Sequence, residues 1–117
     1  MFTSANVTVT VADLKKTVQF YTETLGLKLQ GEMDDHFVQI EAPRLTIGLL
    51  HLTGERNAQS AKSESMSIGF VVQDLEAAIK TLKSHGVKFH DYVEGKAAQV
   101  VHFNDPDGNT LYLVSDH

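Results

Sequence analysis

The chain contains no cysteine. That excludes a disulfide framework, a thiolate metal site and a cysteine nucleophile, and it suits a reducing compartment. Positive charge is scarce. Ten Lys and Arg against fifteen Asp and Glu give a net charge of −5, the opposite of the basic face a nucleic-acid partner needs. No run approaches the ~18 apolar residues of a membrane-spanning helix. No basic segment followed by a long apolar stretch marks an export leader. The expectation is a cytoplasmic protein with neither a membrane nor a nucleic-acid partner. The acidic residues gather between apolar segments, at Glu32, Asp34 and Asp35, at Glu55 and Glu64, and at Asp91 and Glu94. They read as solvated loops that would also favour a cationic ligand, weakly.

What is present is a repeat. Val7-Thr8-Val9-Thr10-Val11-Ala12-Asp13-Leu14 returns as Ile68-Gly69-Phe70-Val71-Val72-Gln73-Asp74-Leu75. In each half an amphipathic stretch then runs to a glycine, Gly26 or Gly86, and one of the two prolines, Pro43 or Pro106, precedes the last apolar segment. A repeat of this period sets the architecture and marks equivalent positions in the two halves.

Polar–apolar alternation over Asn6 to Val11 predicts a half-buried strand with Val7, Val9 and Val11 on one face. Asp13 is placed as an N-cap, Leu14, Val18, Tyr21 and Leu25 form a helical stripe widened by Phe20, and Gly26 suits a left-handed C-cap. Strands are predicted from Leu27, over Phe37 to Ile40 and over Leu45 to Leu52. The second half predicts strands over Met66 to Val72, Val87 to Tyr92, Ala98 to Phe103 and Thr110 to Val114, with Asp74 capping a helix whose stripe is Leu75, Ile79 and Leu82. Asp105-Pro106-Asp107-Gly108-Asn109 is a turn signal. The fold class is α+β: one domain, residues 1–117, built of two tandem βαβββ modules at about residues 5–52 and 66–115 joined through about 53–65. One helix leaves one face of each sheet uncovered, and two such modules suit a curved, incomplete barrel whose concave side forms a cavity.

Val-Ala-Asp-Leu, Phe-Tyr and Leu-Gly-Leu early, with Phe-Asn-Asp-Pro-Asp-Gly-Asn-Thr-Leu-Tyr-Leu late, resemble the vicinal oxygen chelate superfamily of glyoxalases, bleomycin-resistance proteins and dioxygenases. The resemblance covers about Asn6 to Ser115. It implies metal ligands at four equivalent strand positions, commonly His, Gln or Glu. Aligned on the Asp-Leu and Pro anchors, those positions hold Asn6, Ser67, Gly48 and Tyr112, none a usual ligand. The expectation is therefore no metal and no other cofactor. The resemblance also implies a homodimer with isologous contacts.

Of six histidines, His36, His51, His85 and His117 lie in turns, at element ends or at the terminus, and the facing of His90 stays open. His102 stands apart: alternation gives Val101 and Phe103 to the helix-covered face and His102 to the other. The same logic turns Tyr112, Asn6, Thr8, Phe37, Gln39 and Ser67 toward the open face. These seven are the candidate ligand-binding residues. Three functions compete. The first is a metal-free binder of a drug or metabolite, stacking it on Tyr112 and Phe37. The second is an enzyme, either a metal-dependent dioxygenase, lyase or isomerase as the resemblance implies, or an acid–base catalyst with His102 as base and Tyr112 as partner. The third is an interaction module whose side chains fill the cavity.

Overall fold

The computed structural model describes residues 1, 3–31, 35–51, 66–94 and 99–115. The turn through Glu32 and Asp34, the connection at 53–65 with Glu55 and Glu64, Leu52, Ala98 and His117 lie outside these residues. The chain divides into two compact units, Met1–Lys62 and Ser63–His117.

In the first unit, β1 (Asn6–Val11) leads into α1 (Leu14–Gln19), followed by β2 (Lys28–Gln30), β3 (Phe37–Ala42) and β4 (Leu45–His51). The sheet order is β1-β4-β3-β2, with β1 and β4 parallel and the other pairs antiparallel. Asp13 caps α1 by accepting from the Lys16 amide at 3.0 Å, satisfying one of the unpaired donors of the first turn. The helix does not run regularly to Leu25. Phe20–Thr24 winds as a π-helix, and the Leu25 amide donates to the Phe20 carbonyl at 3.0 Å. Gly26, at φ 76°, then reverses the chain, a conformation costly for other residues, and the Leu27 amide reaches back to the Tyr21 carbonyl. Leu14, Val18 and Tyr21 pack with Val11, Val38, Ile40, Ile47 and Leu49, all buried.

The second unit repeats the plan: β5 (Ile68–Val72), α2 (Leu75–Ser84), β6 (Phe89–Glu94), β7 (Gln99–Asn104) and β8 (Thr110–Ser115), in sheet order β5-β8-β7-β6. Asp74 caps α2 by accepting from the Ala77 amide at 3.1 Å. Gly86, at φ 92°, ends it, with the Val87 amide donating to the Leu82 carbonyl. Ile68, Leu75, Val101, Phe103, Leu111 and Leu113 form the core. Each unit is thus βαβββ. Strand ends differ from expectation: β2 starts at Lys28, β5 at Ile68, β6 runs from Phe89 to Glu94, and β3, β7 and β8 extend to Ala42, Asn104 and Ser115. Among the described residues no helix is long and apolar enough to cross a membrane.

Candidate functional site

The face of each sheet opposite its core carries the candidate residues. In the first sheet Thr8, Gly48, Gln39 and Gln30 form a row across four strands, flanked by Asn6–Thr46–Glu41–Lys28 on one side and Thr10–Leu50–Phe37 on the other. Residues opposite one another share a face, so Asn6, Thr8, Phe37 and Gln39 lie together. The Phe37 ring folds over Gly48: a Cβ there would stand 2.9 Å from Phe37 Cε1 and 2.9 Å from Thr8 Oγ1.

The second sheet is more differentiated. One row reads Gly69–Tyr112–His102–His90 and the next Val71–Val114–Val100–Val93. A polar, aromatic row therefore borders an apolar one, and both Val71 and Val93 are exposed. Tyr112 lies against Gly69, in the space a side chain there would fill. His102 lies between Tyr112 and His90, its ring centroid 5.9 Å from Tyr112 and 6.0 Å from His90. Ser67 is exposed and precedes β5.

Sequence reasoning missed His90. A β-bulge sets Asp91 and Tyr92 opposite the single residue Val101 between the His90–His102 and Val93–Val100 pairs, so simple alternation along β6 fails. Asp91 has φ 50°, tolerated by Asp better than by most residues, and an Asp beside exposed β-formers is the one signal that could have suggested it. His90 Nδ1 lies 2.8 Å from Asp91 Oδ2 and His90 Nε2 lies 2.7 Å from Asn104 Oδ1, both within hydrogen-bond distance. The Asp91 hydrogen bond, then that of Asn104, holds the His90 imidazole above its usual range, with desolvation opposing. His102 Nδ1 donates to the Asp91 carbonyl at 2.8 Å. A carbonyl only accepts, so Nδ1 carries the proton and the neutral ring keeps its lone pair on Nε2. That arrangement suits an acceptor for a ligand's N–H or O–H, or a general base.

A groove of about 750 Å³ opens at the β3–β4 turn, lined by Lys28, Gln30, Glu41, Arg44 and Thr46 among others. It adjoins the Asn6–Thr46–Glu41–Lys28 row and lacks an aromatic ring, so it offers charge but no stacking surface. Sequence reasoning did not find it. Arg44 occupies the turn at φ 61°.

The registers of the two sheets match. Thr8 and Gly69 stand at the same distance before Asp13 and Asp74, and they pair with Gly48 and Tyr112. Asn6, Ser67, Gly48 and Tyr112 stand at the four positions at which the resemblance implies metal ligands. Gly48 has no donor and is covered by the Phe37 ring, while Tyr112 is laid against Gly69. Among the described residues no group of three or more His, Asp or Glu is placed to hold an ion. This donor set does not fit the metal.

Residues 3–113 match the Glyoxalase/Bleomycin resistance protein/Dioxygenase superfamily. YraH, an uncharacterized protein of Bacillus subtilis (strain 168), is 33% identical over 119 residues, spanning 88% of this chain and 90% of its own. TnmS3, an antibiotic binding protein from Streptomyces sp. CB03234, superposes with a TM-score of 0.78 at 21% identity, over 100% of this chain and 98% of that one. Lactoylglutathione lyase from Agrobacterium tumefaciens does so with a TM-score of 0.77 at 15% identity, over 97% and 92%. At such identities the two structures speak for the fold alone, and their names show it serving both a binder and a lyase. With the repeated βαβββ units, the match over residues 3–113 places this chain in the glyoxalase/bleomycin resistance protein/dioxygenase superfamily.

Proposed function

We propose that this protein binds a small molecule on the open faces of its sheets, without a metal. The observation that carries the reading is the paired rows of the second sheet. A flat apolar body would lie on Tyr112 and the valine row, and its polar edge would meet His102. Aromatic walls with a few placed polar groups are the usual make-up of such sites. Asn6, Thr8, Gln39 and Phe37 offer the same mixture on the first sheet, and Ser67 adds a hydroxyl before β5. The antibiotic-binding role named for TnmS3 is in keeping with sequestration of a drug or metabolite. The exposed Glu94 carboxylate and the net charge of −5 favour a cationic ligand. The protein acts as a homodimer in this reading, which light scattering on the purified chain tests. A thermal-shift screen with cationic aromatic compounds first should yield hits whose amide shift changes fall on Tyr112 and His102. Tyr112→Ala should weaken them about ten-fold. Hits that map elsewhere, or none at all, would reject the site.

The orientation of His102 favours a second reading, acid–base catalysis. Its Nδ1 is held by a backbone carbonyl and Nε2 is left as base, with Tyr112 as partner. Loss of turnover in His102→Ala with binding retained would support it, and unchanged turnover would remove His102 from that role.

A further inference from the structure

Both ring nitrogens of His90 sit on oxygen acceptors. Asn104 cannot turn its amide over to accommodate a neutral ring without loss, because its Nδ2 donates to the Gly108 carbonyl at 3.3 Å. A neutral imidazole has one N–H and can serve one acceptor only, so the two together select the imidazolium. Asp91 is thereby held at its carboxylate. Its backbone, at φ 50°, presents the carbonyl that accepts the hydrogen bond from His102 Nδ1–H. His90, Asp91 and His102 form one chain of contacts in which the charge on the first fixes the tautomer of the last.

We propose that protonated His90 locks the β6 bulge so that His102 presents Nε2 as a fixed acceptor, and that the site therefore selects flat apolar molecules bearing a hydrogen-bond donor, phenols being the simplest. The ligand half rests on the small-molecule reading; the lock does not. Tyr112, beside His102, supplies the stacking ring, and Val100, on the next row, supplies apolar surface.

Among the described residues, the titratable groups beside His90 are Asp91 on its own strand, His102 on β7 and, one strand further, Tyr112 on β8; Asn104 is neutral. Because the His90 value is raised, the lock is complete below the ordinary histidine value of about 6.5 and opens as pH rises through the raised one.

The test is side-chain 15N NMR of the free protein between about pH 5 and about pH 9, on wild type, His90→Leu and Asp91→Asn. The last keeps a residue that tolerates positive φ while removing the anion. Wild type should show His102 as the Nδ1–H tautomer whenever it is neutral and His90 is charged. Asp91→Asn should move the His90 titration down, and His90→Leu should leave His102 a mixture of tautomers. An Nε2–H tautomer in wild type, or the same His102 tautomer in His90→Leu, would overturn the lock. Phenol and anisole, titrated against the same samples, address the ligand. At a pH where the NMR shows His90 charged and His102 neutral, wild type should bind phenol about five-fold more tightly than anisole, and His90→Leu should discriminate between them less. Equal binding by wild type with the lock intact would overturn the selectivity. Failure of both probes to bind would overturn the selectivity, while the thermal-shift screen decides the small-molecule reading and the tautomers decide the lock.

Discussion

Glycine at position 69 is fixed by what lies over it. The Tyr112 ring and hydroxyl fill the space a Cβ would take, so any side chain there must turn the tyrosine away from the sheet. Tyr112 is only partly buried and has solvent to move into. Gly69→Ala should therefore change stability by no more than about 1 kcal/mol, with relief of backbone freedom in the unfolded chain offsetting part of the crowding. Its main effect should be loss of the flat aromatic surface. Urea denaturation of Gly69→Ala, Tyr112→Ala and the double variant checks this. The double variant should be at least as stable as Tyr112→Ala, because the atoms that crowd the alanine methyl most closely are then gone. A double variant about 2 kcal/mol less stable would mean Gly69 serves the backbone instead. The same residue-scale logic separates what could be read from sequence here. The facing of Tyr112 and His102 follows from unbroken alternation against the buried Leu111, Leu113, Val101 and Phe103. That the tyrosine rests on a glycine one strand away depends on register, which alternation does not supply.

At the scale of elements, the polar punctuation was legible because its chemistry is local. Asp13 and Asp74 accept from amides three residues on. Asp105, nearly fully buried, accepts hydrogen bonds from the Asp107 and Asn109 amides and from Asn109 Nδ2, at 2.8–2.9 Å. The two kinds of site should respond differently to truncation. Asp13→Ala and Asp74→Ala should each cost about 1 kcal/mol, the usual worth of an exposed cap. Asp105→Ala should cost about 2–3 kcal/mol, since it strands donors that met a buried acceptor. Chemical denaturation ranks them, and an Asp105→Ala milder than either cap variant would contradict the turn geometry. Two elements escaped the sequence for related reasons. The stripe Leu14, Val18, Tyr21 and Leu25 is compatible with an α-helix throughout, so nothing in it announced the π-helix at Phe20–Thr24. The bulge at Asp91 and Tyr92 inserts one residue and breaks the period on which facing is judged. Where the ladder is regular the pattern suffices; where one extra residue enters, only the folded register reveals His90 beside His102.

For the whole molecule, duplication decides what chemistry the fold retains. The two units share strand order and the register that pairs Thr8 with Gly48 and Gly69 with Tyr112. The frame that could carry donors at equivalent points is present in both. The usual donors are not: these points hold amide, hydroxyl, glycine and phenol, and in each unit a ring occupies part of the open face, Phe37 over Gly48 and Tyr112 against Gly69. Restoring one position would not rebuild a site, because divalent N/O sites need several donors converging on one point. Protein prepared without chelator or nickel affinity resin should therefore hold well under one equivalent of Mn, Fe, Co, Ni or Zn by mass spectrometry. Excess EDTA should leave its melting temperature unchanged, because a metal bound only to the native state would add to stability by mass action and its removal would show. A stoichiometric metal that survives dialysis, or a melting temperature that falls on chelation, would overturn the metal-free reading and put metal-assisted catalysis ahead of binding.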